Sequence, residues 1–235
     1  MNLIDIIIPV FNNDNTIIPC LGSIAKQTYQ KFRIIVVNDG STDSSIAKVK
    51  KWISGHDQYR TRFTLIEQEN KGAPVARNIG AKAGEADFII FLDADIVMQP
   101  EMLTSMHETL MANQEVSYAY SSFKLEKKLF KLWKFDPKRL KKMPYIHTSS
   151  LIRRKDFTGF DPKLKRFQDW DLWLTMLEDS KIGIHIPKVL FTITAKGNMS
   201  SWLPSFAYRL MPWTKEVDKY NEARSVIIRK HKLDH

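Results

Sequence analysis

The sequence predicts an α/β fold: a mostly parallel central sheet flanked by helices, with a helical extension at the C-terminus. Three observations lead there. The first half repeats one phrase several times, an apolar β-branched run, then turn residues, then a segment with helical spacing, which is the pattern of stacked β-α units. The apolar runs IIIPV, IIVV and FIIFL are nearly continuous rather than alternating, so both faces of each strand should be covered. Finally, 235 residues with 43% hydrophobic and 11% aromatic content can bury a proper core, which excludes a disordered or fibrous chain.

Strands are expected at Leu3 to Val10, Phe32 to Val37, Phe63 to Glu67, Phe88 to Leu92 and Val116 to Phe123. Helices are expected at Asp14 to Gln27, Asp43 to Ser54, Gly72 to Gly84 and Pro100 to Asn113, each starting near a capping Asp, a Gly or a Pro. Further on, Phe167 to Asp179 reads as an amphipathic helix. Leu203, Phe206, Leu210, Trp213, Val217 and Tyr220 recur at spacings of three and four, with Pro212 expected to kink or split that last helix. The simplest division is one domain over residues 1–201, with halves 1–115 and 116–201, followed by an amphipathic extension over 202–235.

Charge and cysteine content narrow the class. Lys plus Arg number 36 against 26 Asp plus Glu, a net charge of +10. Residues 124–142 hold nine basic residues against Glu126 and Asp136, a local excess of +7, so most of the charge sits in one insert. The single cysteine, Cys20, excludes an internal disulfide framework and suits a reducing compartment, so a cytoplasmic location is expected. The N-terminal MNLIDIIIPVF lacks a basic region and contains Asp5 and Pro9, and no run reaches about 18 apolar residues. Any membrane contact is therefore expected to be peripheral, on the inner face.

In open sheets of this kind ligands bind where strands end and loops leave for the helices. FLDAD delivers Asp93, Ala94 and Asp95 to that edge; oxygen ligands suit Mg²⁺ or Mn²⁺, and the same aspartates would serve equally as a turn or a cap. Asp39, in VVNDGSTD, reads either as a turn residue or as an acceptor for a ligand N–H. NKGAPVARNIG sets Lys71, Gly72, Arg77 and Asn78 around a helix N-terminus, where backbone donors and cations favour a diphosphate; pairing of Arg77 with Glu85 is the bland alternative. Neither a Walker A motif nor G-x-G-x-x-G is present.

IIIPVFN, VVNDGSTD, NKGAPVARNIG, FLDAD, IHTSSLIRR, GFDPKLKRFQDWDLW and GNMS, in that order, resemble the family 2 glycosyltransferases of the Rossmann-like GT-A fold, over roughly residues 3–201. That resemblance implies a nucleotide-diphosphate sugar donor, usually a UDP-sugar, and inversion at the anomeric carbon. It assigns Pro9, Val10 and Phe11 to the base pocket, Asp39 to the uracil N3–H, and Lys71, Gly72 and Arg77 to the base and diphosphate. Asp93 and Ala94 fall beside the ribose and Asp95 on the metal. The acidic pair that family members write E-D reads Gln168-Asp169 here, which makes Asp169 the expected general base and Asp171 the fallback. His147, Gln168 and Trp170 are expected on the acceptor side. Where the family often shows Arg and His, this chain reads TITAKGNMS, leaving Lys196 for the diphosphate and no histidine as a third metal ligand.

The acceptor implied is a glycan or a lipid-linked glycan, and the basic insert is expected to meet either that acceptor or an anionic membrane. No nucleic acid is expected. A nucleic-acid or polyanion-binding module would explain the insert but neither FLDAD nor QDWD, and a GT-A-like subunit without catalysis would not need to keep Asp95 and Asp169. A nucleotidyltransferase shares the layout but fits the ordered motifs less well.

Overall fold

A computed structural model of the chain describes residues 2–194 and 215–233. Its centre is one sheet of nine strands: β1 (Ile4–Val10), β2 (Phe32–Asp39), β3 (Phe63–Gln68), β4 (Phe88–Phe91), β5 (Ile96–Met98), β6 (Tyr118–Leu125), β7 (Lys128–Phe130), β8 (Leu151–Arg153) and β9 (Gly183–Ile193). The order is β3-β2-β1-β4-β8-β6-β9-β5, with β7 hydrogen-bonded to β6. The first four strands in that order are mutually parallel. The other half is mixed, because β8 runs antiparallel to both β4 and β6, β9 is parallel to β6, and β5 is antiparallel to β9.

The near-continuous apolar runs serve two layers. Ile4, Ile6, Ile8 and Val10 point to one side of β1 and Ile7 to the other, following the two-residue period of a strand. The first side packs under α1 (Ile17–Ala25), α2 (Ser45–Ser54) and α4 (Met102–Ala112) through Leu21, Ile24, Val49, Trp52, Leu103 and Met106. The second is covered by α3 (Ala73–Ala83), the short α5 (Pro137–Lys142), α6 (Gln168–Glu178) and α7 (Lys215–Lys230), with Ala76, Leu140, Trp170, Trp173 and Ile227 inside. At Gly80 a β-carbon would stand 2.4 Å from Ile7 Cγ2, so α3 lies against β1 at a distance only glycine permits.

All five expected strands and the four expected helices of the first half are present, with boundaries moved by local chemistry. The α1 helix begins at Ile17 rather than Asp14, because Asn13 O accepts the Thr16 and Ile17 N–H groups and Asp14 N is held by Asp43 Oδ2 at 3.1 Å. The short β5 and β8 and the long β9 fall outside the expected strands. In β9 the register jumps across Pro187 and Lys188, from Ile186 paired with Ser121 to Val189 paired with Ser122, so the residue without an N–H sits at a bulge. The expected kink at Pro212 and the Leu203 to Trp213 part of the apolar stripe lie outside the described residues; 215–230 form one helix.

Helix α7 is fastened to α6 by a charged knot. His231, just past its end, meets Asp171 Oδ1 through Nε2 at 2.8 Å and Glu178 Oε1 through Nδ1 at 2.8 Å, while Lys230 reaches Asp171 and Asp161 at 2.7 and 2.8 Å. Two carboxylate acceptors on one ring require both nitrogens to carry protons. Burial pulls the His231 pKa down, and the hydrogen bonds to Asp171 and Glu178 more than reverse it, leaving it above the ordinary 6.5. A pKa raised on folding contributes stability fully below the unfolded value and loses it as pH climbs through the folded one. His231→Gln should therefore lower the unfolding free energy by about 2 kcal/mol near pH 6. Urea unfolding across a pH series should show the gap to wild type narrowing as pH rises; a gap independent of pH would mean the ring is not charged.

Candidate active site

Because β1 to β4 are parallel, their carboxyl ends share one edge, and the four loops leaving them meet there. Side chains satisfy the backbone of their own loop or of the neighbouring one. Asn12 Oδ1 accepts the Thr42 N–H at 2.9 Å, Asn38 Oδ1 accepts that of Ser41 at 2.9 Å, and Ser45 Oγ accepts that of Asn13 at 2.8 Å. Asp43 accepts the Ser45 N–H at 2.9 Å at the head of α2; despite some burial, these hydrogen bonds hold its carboxyl below the usual range.

Asp39 closes the end of β2 and is buried. Its carboxylate accepts Gln68 Nε2 at 2.6 Å, Lys71 N at 2.8 Å and Gly72 N at 2.9 Å, so it holds the β3–α3 loop in place. Gly72 completes that loop at φ +91°, in the region that favours glycine. With three bonds made of about four a carboxylate can accept, one direction on Asp39 is left for an incoming donor. Lys71 and Phe11 are exposed nearby in sequence to this edge, whereas Pro9 and Val10 are buried strand residues.

Arg77, on α3, ties the two halves together. Its guanidinium is almost wholly buried, gives Nη2 to Asp93 Oδ1 at 2.6 Å and Nη1 to Gln168 Oε1 at 2.7 Å, and lies over the Phe160 ring at 5.3 Å. Burial pushes the Asp93 carboxyl up, but Arg77, with His147 beyond it, more than compensates and holds it low. Asp95 has the opposite balance. Burial and then the neighbouring Asp93 push it up to about 7, with its own backbone amide and Arg77 pulling the other way.

His147 arrives through the sheet. Antiparallel pairing of β8 with β4 sets Leu151 opposite Ile90, so residues just before β8 lie beyond the end of β4. Ser149 Oγ donates to Phe91 O at 2.9 Å, and His147 Nδ1 accepts the Ser149 N–H at 3.0 Å, leaving the proton of a neutral ring on Nε2. Burial lowers the His147 pKa; Asp93 and Asp169 act against it and Arg77 with it. Asp169, in the first turn of α6, is raised by burial, with His147, the Trp170 N–H and Arg77 partly offsetting that. These mutual influences place Arg77, Asp93, Asp95, His147, Gln168 and Asp169 in one electrostatic cluster.

Two residues expected at this site are placed elsewhere. Trp170 is fully buried with Nε1 donating to Leu140 O at 2.6 Å, which makes it core and removes it from any acceptor surface. Asp171, two residues after Asp169, points to the α7 knot and is 2% exposed. Lys196 lies outside the described residues. Conversely, Phe160 and Asn78 were not singled out for the work they do. Asn78 binds both backbone groups of Phe160, at 2.7 and 2.9 Å, and so sets the ring beneath Arg77. The 82-residue separation left no local signal for that clamp.

The donor set suits a hard divalent cation of the kind that takes one or two carboxylates and completes its shell with substrate phosphate and water. Asp95 is a buried carboxylate whose charge is opposed by Asp93, a deficit that a cation would correct. Among the described residues no group of three His, Cys, Asp or Glu converges as a cage. Cys20 is buried behind the site, its Sγ donating to Asp93 O at 3.8 Å, and burial and the two aspartates push its thiol far up. Replacing Arg77 with Met should cost about 2 kcal/mol of stability, because Asp93 and Gln168 lose their shared donor. The Asp93 carboxyl should titrate upward in the same variant by NMR; an unchanged titration would show that Arg77 does not set it.

Known proteins resemble this chain in sequence and in fold. The chain is 28% identical over 189 residues to an Escherichia coli protein, UDP-Glc:alpha-D-GlcNAc-diphosphoundecaprenol beta-1,3-glucosyltransferase WfgD, covering 77% of this chain and 72% of that one. It is 37% identical over 111 residues to glycosyltransferase GlyA of Streptococcus pneumoniae, matching 47% of this chain but spanning only 15% of that protein's length. Among solved structures, S. aureus TarS with UDP-GlcNAc superposes at a TM-score of 0.70, with 17% identity over 97% of this chain and 72% of that one. A Pyrobaculum calidifontis mannosyltransferase with GDP-Man and Mn²⁺ superposes at 0.68, with 17% identity over 95% and 74%. These likenesses establish the GT-A fold. The family model described as Glycosyl transferase family 2 matches residues 5–167, from the first strand to the brink of α6 and well over half the chain, so the chain belongs to the family 2 glycosyltransferases.

Proposed function

We propose that this chain transfers a sugar, with inversion, from a nucleotide-diphosphate sugar to a hydroxyl of a glycan or lipid-linked acceptor, and that the donor is a UDP-sugar. The observation that carries the reading is the Arg77 bridge, which joins the aspartate of the donor edge to the helix start bearing Asp169. Support for UDP and for a lipid-linked acceptor comes from the name of the E. coli relative, and support for the nucleotide from the UDP-GlcNAc complex of TarS.

In this reading the base lies against Phe11 and the backbone of Pro9 and Val10, and the remaining acceptor direction of Asp39 takes the uracil N3–H. Lys71, Gly72 and Arg77 border the base and diphosphate, and Asp93 faces the ribose; Ala94, expected beside it, is instead a buried residue of the core under α1 and α4. Asp95 would hold Mn²⁺ or Mg²⁺, which when bound neutralises charge on the departing nucleotide. Asp169 takes the proton of the acceptor hydroxyl as its oxygen bonds to the anomeric carbon and the bond from that carbon to the diphosphate oxygen breaks. A carboxylate raised by burial is a stronger base than an exposed one, and a raised pKa moves toward the working pH. His147 lies in the same electrostatic cluster as that carboxylate, and Gln168 is kept in place by Arg77.

Calorimetry with UDP, GDP, CDP and dTDP, with and without Mn²⁺, tests the donor half. UDP should bind selectively and in a Mn²⁺-dependent way, and Asp95→Ala should abolish the metal dependence. Since Asp95 must lose its proton to ligate and titrates at about 7, metal-assisted binding should strengthen as pH rises through that value. Asp169→Asn should leave UDP affinity intact while lowering turnover by about 10²- to 10⁴-fold. Binding without nucleotide selectivity and indifferent to Asp95 would overturn the donor assignment; intact turnover in Asp169→Asn would overturn the base.

A further inference from the structure

The basic insert is a built surface rather than a loose charged loop. Its inward side chains are fixed: Phe130 stacks on Phe123 at 4.9 Å and Phe123 on Phe191 at 5.1 Å, Leu132 and Leu140 are buried, and Leu132 N donates to Ser122 Oγ at 3.0 Å. Tyr120 Oη donates to Trp133 O at 2.8 Å, and Asp136 caps α5 by accepting from Lys138 N and Arg139 N. What faces outward is of two kinds. All eight lysines between 124 and 142 are exposed, and none makes an ion pair among the described residues. Between them stand Leu129 at 52%, Trp133 at 45% and Met143 at 42% exposure, three of the eight large apolar side chains exposed among the described residues. Pairing of Lys124 with Leu129 across the β6–β7 hairpin puts a cation and an aliphatic tip on the same outer face.

We propose that this face docks on an anionic lipid bilayer, with Leu129, Trp133 and Met143 entering the headgroup region and the lysines meeting acidic headgroups. Lysines alone would serve any polyanion. The apolar tips separate the cases, because exposed Trp and Leu among lysines suit the boundary between headgroups and acyl chains. Stacking of a sugar on Trp133 is hindered on one side by Arg139, whose guanidinium covers that ring at 4.4 Å. The insert also adjoins the proposed acceptor side, since α5 is hydrogen-bonded to α6 through Leu140 O and Trp170 Nε1, next to Asp169. The proposal deepens the lipid-linked acceptor reading and rests on it only for what the surface is near; it uses no residue of the nucleotide site.

Co-sedimentation with phosphatidylcholine vesicles, with and without phosphatidylglycerol, tests it on the whole chain. Binding should require phosphatidylglycerol. Changing Lys128, Lys131, Lys134 and Lys138 to Gln should weaken it by about fivefold per lysine. Leu129→Ser with Trp133→Ser should weaken it further in high salt, where the lysines are screened. Circular dichroism shows that each variant is folded and UDP calorimetry reports the donor site separately, so failure of either reading leaves the other standing. Equal binding to neutral and anionic vesicles would overturn the proposal. So would vesicle binding that ignores Leu129 and Trp133 and is fully displaced by soluble polyphosphate, an outcome that assigns the face to an anionic polymer instead.

Discussion

One guanidinium constrains how the two halves of this protein can be arranged. Arg77 is nearly buried, so its guanidinium needs acceptors: Nη1 and Nη2 each have one, while Nε has none among the described residues. One acceptor follows β4 and the other begins α6, 91 residues further along the chain than Arg77 itself. The cost of leaving either nitrogen unpaired therefore fixes the distance between donor edge and acceptor helix. Asp93 is held ionised by the same contact, and the charge so preserved acts on Asp95. Position and protonation at this edge thus share one cause.

The surrounding loops carry little freedom of their own. Asp39 grips the loop before α3 through two backbone N–H groups and a side-chain amide, the Asn12 amide ties the first two strand-end loops, and the Asn38 amide closes the second on itself. Backbone donors that would otherwise need water are satisfied by side chains a few ångströms away. A nucleotide meeting this edge would find the geometry already set, and little of its binding free energy would be spent on ordering the protein.

Much of this was legible in the sequence, for reasons that differ by element. The parallel strands and their helices were readable because their burial is two-sided and local, so composition alone reports it. Asp39, Asp93 and Asp95 were readable as residues at strand ends, although what each contacts was not: Asp39's partners are about 30 residues away, and Arg77 was weighed against Glu85 while its partners are Asp93 and Gln168. Asp169 and Asp171 illustrate the limit. Two acids two residues apart on a helix point in different directions, and only the position of α7, which brings Lys230 and His231, says that the second is occupied. Trp170, expected on the acceptor side, stands at helical spacing with Leu174 and Leu177, a pattern more often of core, and its indole N–H on Leu140 O decides for the core. In β9 the proline hid the strand, because a bulge cannot be foreseen without the partner strand.

Strand β6 has three neighbours. Its first residues pair with β8, its last with β7, and β9 follows it for its whole length. Eight strand residues span about 26 Å, so one continuous strand runs from the core to the tip of the basic hairpin. A flexible tether would let the hairpin swivel while the body tumbled. A strand paired with β9 from end to end, and pinned at its start by β8 and at its tip by β7, passes a tilt of the hairpin to the body, so the attitude of the hairpin toward a surface also sets the direction in which the strand-end edge faces.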